Sequence, residues 1–341
     1  MSPLYIYDPT AADELSKVRG IGRFMQILHE NISDAAFISD IKNVPFDSIF
    51  LNPFFNMLAA PLITKRIAKK QMVMIHDVIP LKHPREFPIG IRGMINVFRN
   101  KRSLKNYDVI LTNSEASKQD IINILKLDPK KIHVMYPITA EIFRKASPQN
   151  QKTTEENSPT EIINSQYCIY VGDGTWNKNL VNLAKAIQIA DVHCVFVGKV
   201  FSKAPTSHPW QKELLHFFQE TKNDPRYVFP GYIPDDVLID LYKNAFCNVL
   251  VSRDEGFGFS FVEAAALRVP SILSDIPALR ETAANCALFA NAEDPHDIAE
   301  KLKQMKTDTI VRKQFADAAY ERSKEFSPEK LKKVFQSACA A

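Results

Sequence analysis

The stretch VSRDEGFGFSFVEAAAL, residues 251–267, contains the local pattern from which the fold can be predicted. An apolar, strand-like run ends at the start of this stretch. Gly256 and Gly258 then allow a tight turn, and small residues begin a helix. The amides of Gly258, Phe259 and Ser260 would be unpaired donors at a helix N-terminus, where the helix dipole also attracts anions. The stretch therefore predicts a phosphate-binding turn, although a glycine turn flanked by solvated glutamates would show the same pattern.

Strand-like and helix-like segments alternate through most of the rest of the chain. Short apolar runs predict buried strands at 71–75, 109–111, 132–136, 167–172, 193–198, 227–229 and 247–251. Apolar residues at helical spacing predict helices at 23–30, 117–127, 179–189, 210–222 and 235–244, and a further helix from Ser260. Such alternation is typical of parallel sheets with crossover helices.

A chain of 341 residues fits two domains better than one, since a single core rarely grows beyond about 250–300 residues. Residues 147–166 are polar and poor in large apolar side chains, which is typical of a linker or an exposed loop. We therefore predict an α/β protein of two doubly wound, Rossmann-like parallel-sheet domains, at residues 1–150 and 151–325. Ligands are expected at the carboxyl ends of the strands, facing the cleft between the domains.

Composition excludes several classes of protein. No apolar run approaches the roughly 18–20 residues that span a bilayer, and the N-terminus MSPLYIYDPT has no basic region or long apolar stretch, so no signal peptide is expected. The five cysteines are widely spaced and form no CxxC pair, which argues against a zinc site or a disulfide framework. We expect a protein of a reducing, cytoplasmic compartment.

The net charge of +4 is unevenly distributed, since residues 1–147 carry +7 and the remainder carries −3. Much of the excess lies between Arg92 and Lys105, where basic and apolar residues are interleaved and predict a basic amphipathic helix. Such a helix can lie on an anionic membrane surface, at the inner face of a membrane, or can be a solvated face of the first domain. No nucleic-acid partner is expected, because a modest basic excess without a recognised motif is weak evidence for one.

Glu255 and Glu263 stand eight positions apart in the opening stretch, and this spacing resembles the signature of glycosyltransferase family 4, retaining group 1 enzymes of the GT-B fold. The resemblance covers nearly the whole chain, and its pieces occur in the family's order. They are GIGRF at 20–24, HDVIP at 76–80, TNSEASK at 112–118, the Lys-Asn loop at 172–179, DIPALRE at 275–281, EDPHDIAE at 293–300 and FSPEK at 326–330. It implies that residues 326–341 form a terminal helix that crosses back to the first domain.

The family resemblance implies a hexosyltransferase that moves a sugar from a nucleotide diphosphate to a hydroxyl group with retention of the anomeric configuration. By this resemblance Glu263 would bind the ribose hydroxyls and Glu255 the donor sugar. Main-chain amides of the turn would contact the sugar and the diphosphate, namely those of Gly256, Phe257, Gly258 and Phe259, with Ser260 beside them. GDP-mannose is the first expectation for the donor, with UDP- and dTDP-sugars as alternatives, and the acceptor would be a glycan or a lipid-linked glycan of a surface polysaccharide.

Lys178 matches the family's strand–loop–Lys-Asn motif, and a lysine there can neutralise the charge that grows on the leaving diphosphate. A solvent-exposed lysine that opens a helix is the alternative interpretation. Many relatives carry an arginine shortly before this lysine, whereas the loop here offers Asp173 and Asn177. Either another residue compensates or diphosphate binding is weaker.

His76 follows a predicted strand, and the resemblance assigns it to the donor sugar near the anomeric carbon. Asp77 either organises the turn before Pro80 or acts as a base. Arg23, which follows Gly20 and Gly22, could hold the acceptor or a phosphate, with the glycines permitting close backbone approach. It could equally be an ordinary surface arginine at the start of a helix.

No D-x-D triplet occurs in the chain, so we expect no metal and no other cofactor. A nicotinamide dehydrogenase is disfavoured because Asn177 stands at the third glycine position of G-x-G-x-x-G. Two alternatives to the transferase remain. One is a nucleotide-sugar epimerase or hydrolase of the same fold, and the other is a non-catalytic sugar-nucleotide-binding protein.

Overall fold

The computed structural model describes residues 2–10, 20–146 and 166–341, which form two compact units. Unit 1 comprises Met1–Ala140 and Phe326–Ala341, and unit 2 comprises Glu141–Glu325. The predicted boundary at residue 150, like nearly all of the polar segment 147–166, lies outside the described residues. The short helix before it, which begins at Glu141, belongs to unit 2 rather than to unit 1.

Unit 1 is built on six parallel strands in the order β2-β1-β3-β4-β5-β6. Its elements up to residue 140 are β1 (Leu4–Tyr7), α1 (Ile21–Asn31), β2 (Ala35–Ile38), β3 (Ile49–Asn52), β4 (Lys70–Met74), α2 (Ile79–Lys82), α3 (Gly90–Ser103), β5 (Val109–Thr112), α4 (Glu115–Leu125) and β6 (Ile132–Val134). Every residue of β5 is buried, as expected of a parallel strand covered on both faces.

Unit 2 is built on six parallel strands in the order β12-β11-β10-β7-β8-β9. Its elements are α5 (Glu141–Lys145), β7 (Tyr167–Val171), α6 (Leu180–Ala190), β8 (His193–Val197), α7 (Lys212–Glu220), β9 (Tyr227–Gly231), α8 (Asp235–Asn244), β10 (Cys247–Leu250), α9 (Phe259–Ala266), β11 (Ser271–Ser274), α10 (Pro277–Ala283), β12 (Leu288–Ala290), α11 (Pro295–Thr307) and α12 (Thr309–Ser323). The two sheets confirm the predicted doubly wound α/β class.

The strand order fixes where a ligand can bind in unit 2. The chain starts at β7 in the middle of the sheet, adds β8 and β9 on one side, and then returns to add β10, β11 and β12 on the other. The loops after β7 and β10 therefore leave the sheet side by side in opposite directions. This reversal opens a crevice at the carboxyl ends of the two strands, which is where ligands bind in such sheets.

The last helix, α13 (Pro328–Ala340), lies in unit 1. Its buried face carries Leu331, Phe335 and Ala338. The Lys70 ammonium donates a hydrogen bond of 2.8 Å to the carbonyl of Cys339. The C-terminal segment is thus anchored to the first half of the chain by apolar packing and by a hydrogen bond to its last turn.

Observed boundaries of the predicted strands and helices differ from the predicted ones by at most two residues. The helix predicted at 117–127 is α4, which begins two residues earlier because the Ser114 hydroxyl accepts a hydrogen bond from the Ser117 amide. It ends at Leu125 because Lys126 takes a left-handed conformation. The helix predicted at 23–30 is α1, and it begins at Ile21. Among the described residues, no helix combines the length and the hydropathy needed to cross a bilayer.

Candidate functional site

The amino end of α9 is shaped by Gly258. This residue has a φ of +99°, and a Cβ added to it would lie 2.6 Å from Cδ2 of Leu279 and 3.4 Å from Cδ2 of Leu250. The close approach packs the end of the loop 251–258 against β10 and α10, so that α9 begins at the carboxyl edge of the sheet. The first amides of a helix have no acceptor within the helix, so they can donate hydrogen bonds to an anion.

The loop after β7 is tied to the loop after β10 by two asparagines. Asn177, which is buried, donates from Nδ2 to the Asp254 carbonyl at 3.0 Å, and its own carbonyl accepts from the Arg253 amide at 2.7 Å. Asn179, which is fully buried, donates to the carbonyls of Val251 and Ala292 at 2.9 and 2.6 Å. Lys178 lies between them in the chain, so its position is fixed by three hydrogen bonds to the β10 loop and by one to Ala292, which follows β12.

Lys178 and Glu255 meet at the crevice between β7 and β10. The Lys178 Nζ lies 2.7 Å from Oε1 of Glu255, and the Ser252 hydroxyl donates to the same oxygen at 2.6 Å. Only 18% of the lysine side chain and 8% of the glutamate side chain are exposed. Two residues predicted separately from the sequence therefore form one partly buried charge pair beside the amino end of α9.

Arg253 is a residue of this site that the sequence did not reveal. Its guanidinium lies 5.1 Å from the centre of the Trp176 ring and donates to the Trp176 carbonyl at 2.8 Å. It also donates to the carboxylates of Glu213, at 3.2 Å, and Glu293, at 3.0 Å. Arg253 thus fixes the Lys178 loop through its contacts with Trp176, Glu213 and Glu293, which a planar group with five donors can make at once.

Glu263 lies on the first turns of α9 and is 5% exposed. Its Oε2 lies 3.4 Å from the Tyr242 hydroxyl, which donates to it. Tyr242 itself is fully buried and contacts the ring of Phe143 in α5. The carboxylate is therefore oriented by the core beneath it.

The remaining residues of the turn divide between core and ligand-facing groups. The Phe257 ring is 2% exposed, and its carbonyl accepts a hydrogen bond from the Thr282 hydroxyl at 2.7 Å, while its ring packs against that of Phe259. Gly256 is buried. In the part of the chain that the structure describes, the buried hydroxyl of Ser260 has no hydrogen-bond partner. A buried hydroxyl at a helix amino end without a partner in the protein is suited to a ligand oxygen.

In unit 1, His76 follows β4 and is held in one orientation. Its Nε2 lies 3.1 Å from the carbonyl oxygen of Pro53, and its ring meets the Phe24 ring edge-on at 4.8 Å. Because a carbonyl only accepts, Nε2 carries the proton and Nδ1 is left as an acceptor. Burial lowers the pKa of His76 from 6.5 to about 4, so the ring is neutral at pH 7 and can accept a hydrogen bond from a hydroxyl.

Asp77 accepts a hydrogen bond of 3.1 Å from the Ile79 amide. This contact closes the turn before Pro80 and starts α2. The contact is the one expected of a turn-organising residue.

Gly20, Gly22 and Arg23 lie at the amino end of α1, where Gly20 is the residue before the first turn. Arg23 is 3% exposed, and its Nη1 donates to Oε1 of Gln26 at 2.7 Å. The interpretation of Arg23 as an ordinary surface arginine is therefore wrong. Arg23 instead lies in the interior of unit 1. A buried guanidinium is costly unless its donors are satisfied, and Gln26 accepts from one of them.

In unit 2 the structure brings Lys178 into contact with Glu255, and in unit 1 it brings Phe24, the neighbour of Arg23, into contact with His76. Missed contributors are Ser252 and Arg253, three and two residues before Glu255, and Asn179, directly after Lys178. A further candidate is Asn113, which follows β5. It is 4% exposed, and within residues 2–10, 20–146 and 166–341 its Oδ1 has no hydrogen-bond partner. A polar residue directly after a buried strand was the available signal.

Comparison with known proteins agrees with this geometry. The model of the family described as glycosyl transferases group 1 matches residues 151–322. The chain is 27% identical over 240 residues to the O-antigen chain mannosyltransferase RfbU of Salmonella typhimurium, covering 70% of this chain and 62% of that protein. It is 24% identical over 266 residues to the O-antigen chain mannosyltransferase B of Escherichia coli, covering 76% of this chain and 68% of that protein.

Among solved structures, sucrose-phosphate synthase from Thermosynechococcus elongatus is similar, with a TM-score of 0.70 and 14% identity, over 100% of this chain and 98% of that one. This similarity confirms the expected GT-B fold. The chain spans less than two thirds of the length of the first of its curated relatives.

Proposed function

Because this chain belongs to the group 1 glycosyl transferases, we propose that it transfers a hexose from a nucleotide diphosphate sugar to a hydroxyl group. The observation that carries the proposal is the 2.7 Å pair between Lys178 and Glu255, set at the strand-order reversal beside the amino end of α9. One cation and a row of main-chain donors suit a diphosphate, and the adjoining carboxylates suit sugar and ribose hydroxyls.

The reaction needs charge stabilisation more than covalent chemistry. The bond between the anomeric carbon and the diphosphate oxygen breaks, a bond to the acceptor oxygen forms, and the acceptor proton passes to a departing phosphate oxygen. Negative charge grows on the diphosphate during this exchange, and Lys178 with the α9 amides would stabilise it. Removing one preorganised donor of this kind typically lowers kcat by about 10²–10³.

The finer assignment rests on similarity and on the chemistry of the donor set. Mannose from GDP-mannose is proposed because both curated relatives described above are named mannosyltransferases. The acceptor is proposed to be a glycan of the O-antigen type, free or lipid-linked. Retention of the anomeric configuration follows from the family 4 resemblance. Independence of metal is proposed because Lys178 and the α9 amides supply positive charge at the diphosphate position.

Within this proposal Glu263 binds the ribose and Glu255 the donor sugar, while Ser260 gives its hydroxyl to a phosphate oxygen. His76 accepts a hydrogen bond from the donor sugar through Nδ1, which its neutral ring and its bond to Pro53 leave as an acceptor. Arg23, with Gly20 and Gly22, serves the acceptor side.

The test is radiolabelled transfer from GDP-mannose, UDP-glucose and a dTDP-hexose to an octyl mannoside acceptor, with and without excess EDTA. We expect transfer from GDP-mannose, unaffected by EDTA, and a Lys178→Ala variant slower by about 10²–10³ in kcat. Lys185→Ala is the matched control, because that lysine is exposed on α6 in the same unit and should leave kcat unchanged.

The same assay separates the alternatives. Release of free sugar at an equal rate without acceptor would identify a hydrolase, and a changed donor sugar without acceptor would identify an epimerase. Proton NMR of the product reports the anomeric configuration, and an inverted product would contradict retention. Stabilisation of the protein by GDP without turnover of any of the three donors would favour a non-catalytic binding protein.

A further inference from the structure

Helix α3 presents polar side chains to the body of unit 1. Its buried residues are Gly93, Asn96, Asn100 and Ser103. Asn100 Nδ2 donates to the carbonyls of Ala59 and Met57 at 2.8 and 3.0 Å, and Asn96 Nδ2 donates to that of Leu58 at 2.8 Å. The helix is therefore fixed to residues 57–59 by side-chain hydrogen bonds, and Val97 adds apolar packing against the core of unit 1.

The opposite face of α3 is apolar and exposed. The exposed fractions are 74% for Ile91, 57% for Met94, 54% for Ile95 and 62% for Phe98. These four stand at positions i, i+3, i+4 and i+7, which form one stripe along a helix. Water therefore meets the face that an ordinary surface helix buries, and contiguous exposed apolar patches of this kind mark interaction sites.

Basic residues flank the apolar stripe on both sides. At 100° per residue, Arg92 and Arg99 lie on one side of the stripe, Lys101 on the other, and Arg102 within it. Lys105 follows in the turn after α3. All five side chains are exposed. No Asp or Glu occurs between Phe87 and Tyr107, so the surface formed by the four apolar and five basic residues, the α3 face, carries a charge of +5.

We propose that the α3 face docks on the surface of a bilayer that contains anionic phospholipids, with its apolar stripe at the headgroup–acyl boundary and its basic residues on lipid phosphates. The proposal goes beyond glycosyl transfer and does not depend on it. An apolar stripe bordered by cations is complementary to an anionic interface in both hydrophobicity and charge. A second copy of this chain fits less well, since two α3 faces would bring ten positive charges together.

The orientation of α3 supports docking parallel to the membrane. Because the hydrogen bonds of Asn96 and Asn100 hold the inner face, the stripe cannot roll inward to escape water. The 14 residues of α3 make a rod of roughly 21 Å, and its long axis lies along the stripe. The helix is already folded before it binds, so binding carries no free-energy cost for helix formation.

The experiment is co-sedimentation of the full chain with phosphatidylcholine vesicles that contain no phosphatidylglycerol or 30% of it. We expect sedimentation with the anionic vesicles at low salt, and binding lowered about 30-fold by Arg99→Gln with Arg102→Gln, since each basic residue near such a surface contributes about a factor of five. Lys332→Gln with Lys333→Gln removes the same charge from an exposed part of α13 in unit 1 and is expected to bind almost as wild type.

A second pair of variants tests the apolar stripe. Ile95→Ser with Phe98→Ser should abolish sedimentation that survives high salt, while Ile310→Ser, which alters a 70% exposed isoleucine in unit 2, should not. All of these positions are exposed, so thermal unfolding should be unchanged. A Phe98→Trp reporter should show blue-shifted emission with anionic vesicles and quenching by brominated lipid, with Ile310→Trp as its control.

Three results would overturn the proposal. One is equal sedimentation with neutral and anionic vesicles, and another is unaltered binding by the Ile95→Ser, Phe98→Ser variant. The third is a dimer in sedimentation velocity, without vesicles, that this variant converts to a monomer, since the occupant would then be a second copy. Because the readout is sedimentation, loss of transferase activity in any variant bears only on the proposed function.

Discussion

Replacing Gly258 by alanine should destabilise unit 2, because both the backbone conformation and the packing at this position favour glycine. The residue holds a φ of +99°, and a left-handed backbone costs an L residue about 1–2 kcal/mol. The new Cβ would also lie 2.6 Å from Leu279 Cδ2, and overpacking of a core costs typically about 1–3 kcal/mol. The two costs together predict a loss of about 2–5 kcal/mol in the free energy of unfolding of unit 2.

Gly90→Ala isolates the backbone part of this cost. Gly90 has a φ of +61°, yet an added Cβ would meet nothing within 4 Å. It should therefore lose only about 1–2 kcal/mol. In thermal unfolding followed by calorimetry, a unit of about 150–250 residues loses roughly 2–4 °C in Tm for each kcal/mol. Gly258→Ala should then lower the Tm of unit 2 by roughly 4–20 °C, and Gly90→Ala that of unit 1 by roughly 2–8 °C.

The contact with Leu279 can be tested directly by a double-mutant cycle. Leu279→Ala removes the atom that the new methyl group meets, so the Gly258→Ala, Leu279→Ala double variant should be more stable than the sum of the two single changes predicts. Additive losses, or a Gly258→Ala variant no less stable than Gly90→Ala, would refute the claim that close packing of the turn on α10 demands glycine.

Three further predictions concern the site and its support. The pKa of His76, about 4 when folded against 6.5 unfolded, means that the unfolded state takes up a proton first as the pH falls; unit 1 should lose about 3 kcal/mol of stability between pH 6.5 and pH 4. His76→Gln should flatten this pH dependence in urea unfolding, and His296→Gln, at an exposed position, should not. Arg253→Lys cannot reproduce the four contacts of the guanidinium and should lower kcat for transfer about 10–100-fold through misplacement of the Lys178 loop, with Tm measured alongside. Asn100→Ala leaves the carbonyl of the buried Met57 without its donor and should cost unit 1 about 1–3 kcal/mol in urea unfolding.

Most of the fold could be predicted because short apolar runs alternate with helical patterns. The strands at 71–75, 167–172 and 193–198 were found within one residue at either end as β4, β7 and β8. Strands β1, β2, β3, β11 and β12 were not predicted. Runs such as LYIY and AAFI show no period that separates a strand from other structure. The pairing of β1 with β2 and with β3 depends on contacts between segments that lie far apart in sequence.

The site could be predicted only where its chemistry is carried by neighbours in sequence. Glu255, Gly258 and Glu263 lie within one turn and one helix, and Lys178 lies in a recognisable loop. The support given by Arg253 depends on Glu213 and Glu293, each 40 residues away, and no local pattern records such a pair. The inner face of α3 was also beyond prediction, because sequence reasoning places apolar residues inside, whereas Asn96 and Asn100 occupy that place here.

The position of Arg253 bears on the arginine that many relatives carry before the lysine, where this chain has Asn177. Arg253 lies close enough to seem a replacement, since its amide bonds to the Asn177 carbonyl. Its guanidinium, however, is engaged by two carboxylates, the Trp176 carbonyl and the Trp176 ring. Turning it toward a diphosphate would leave Glu213, whose side chain is 11% exposed, as a buried charge without its cation, which costs several kcal/mol. Arg253 therefore positions Lys178 and does not supplement its charge, so diphosphate binding should depend more steeply on Lys178 here than in relatives with both cations.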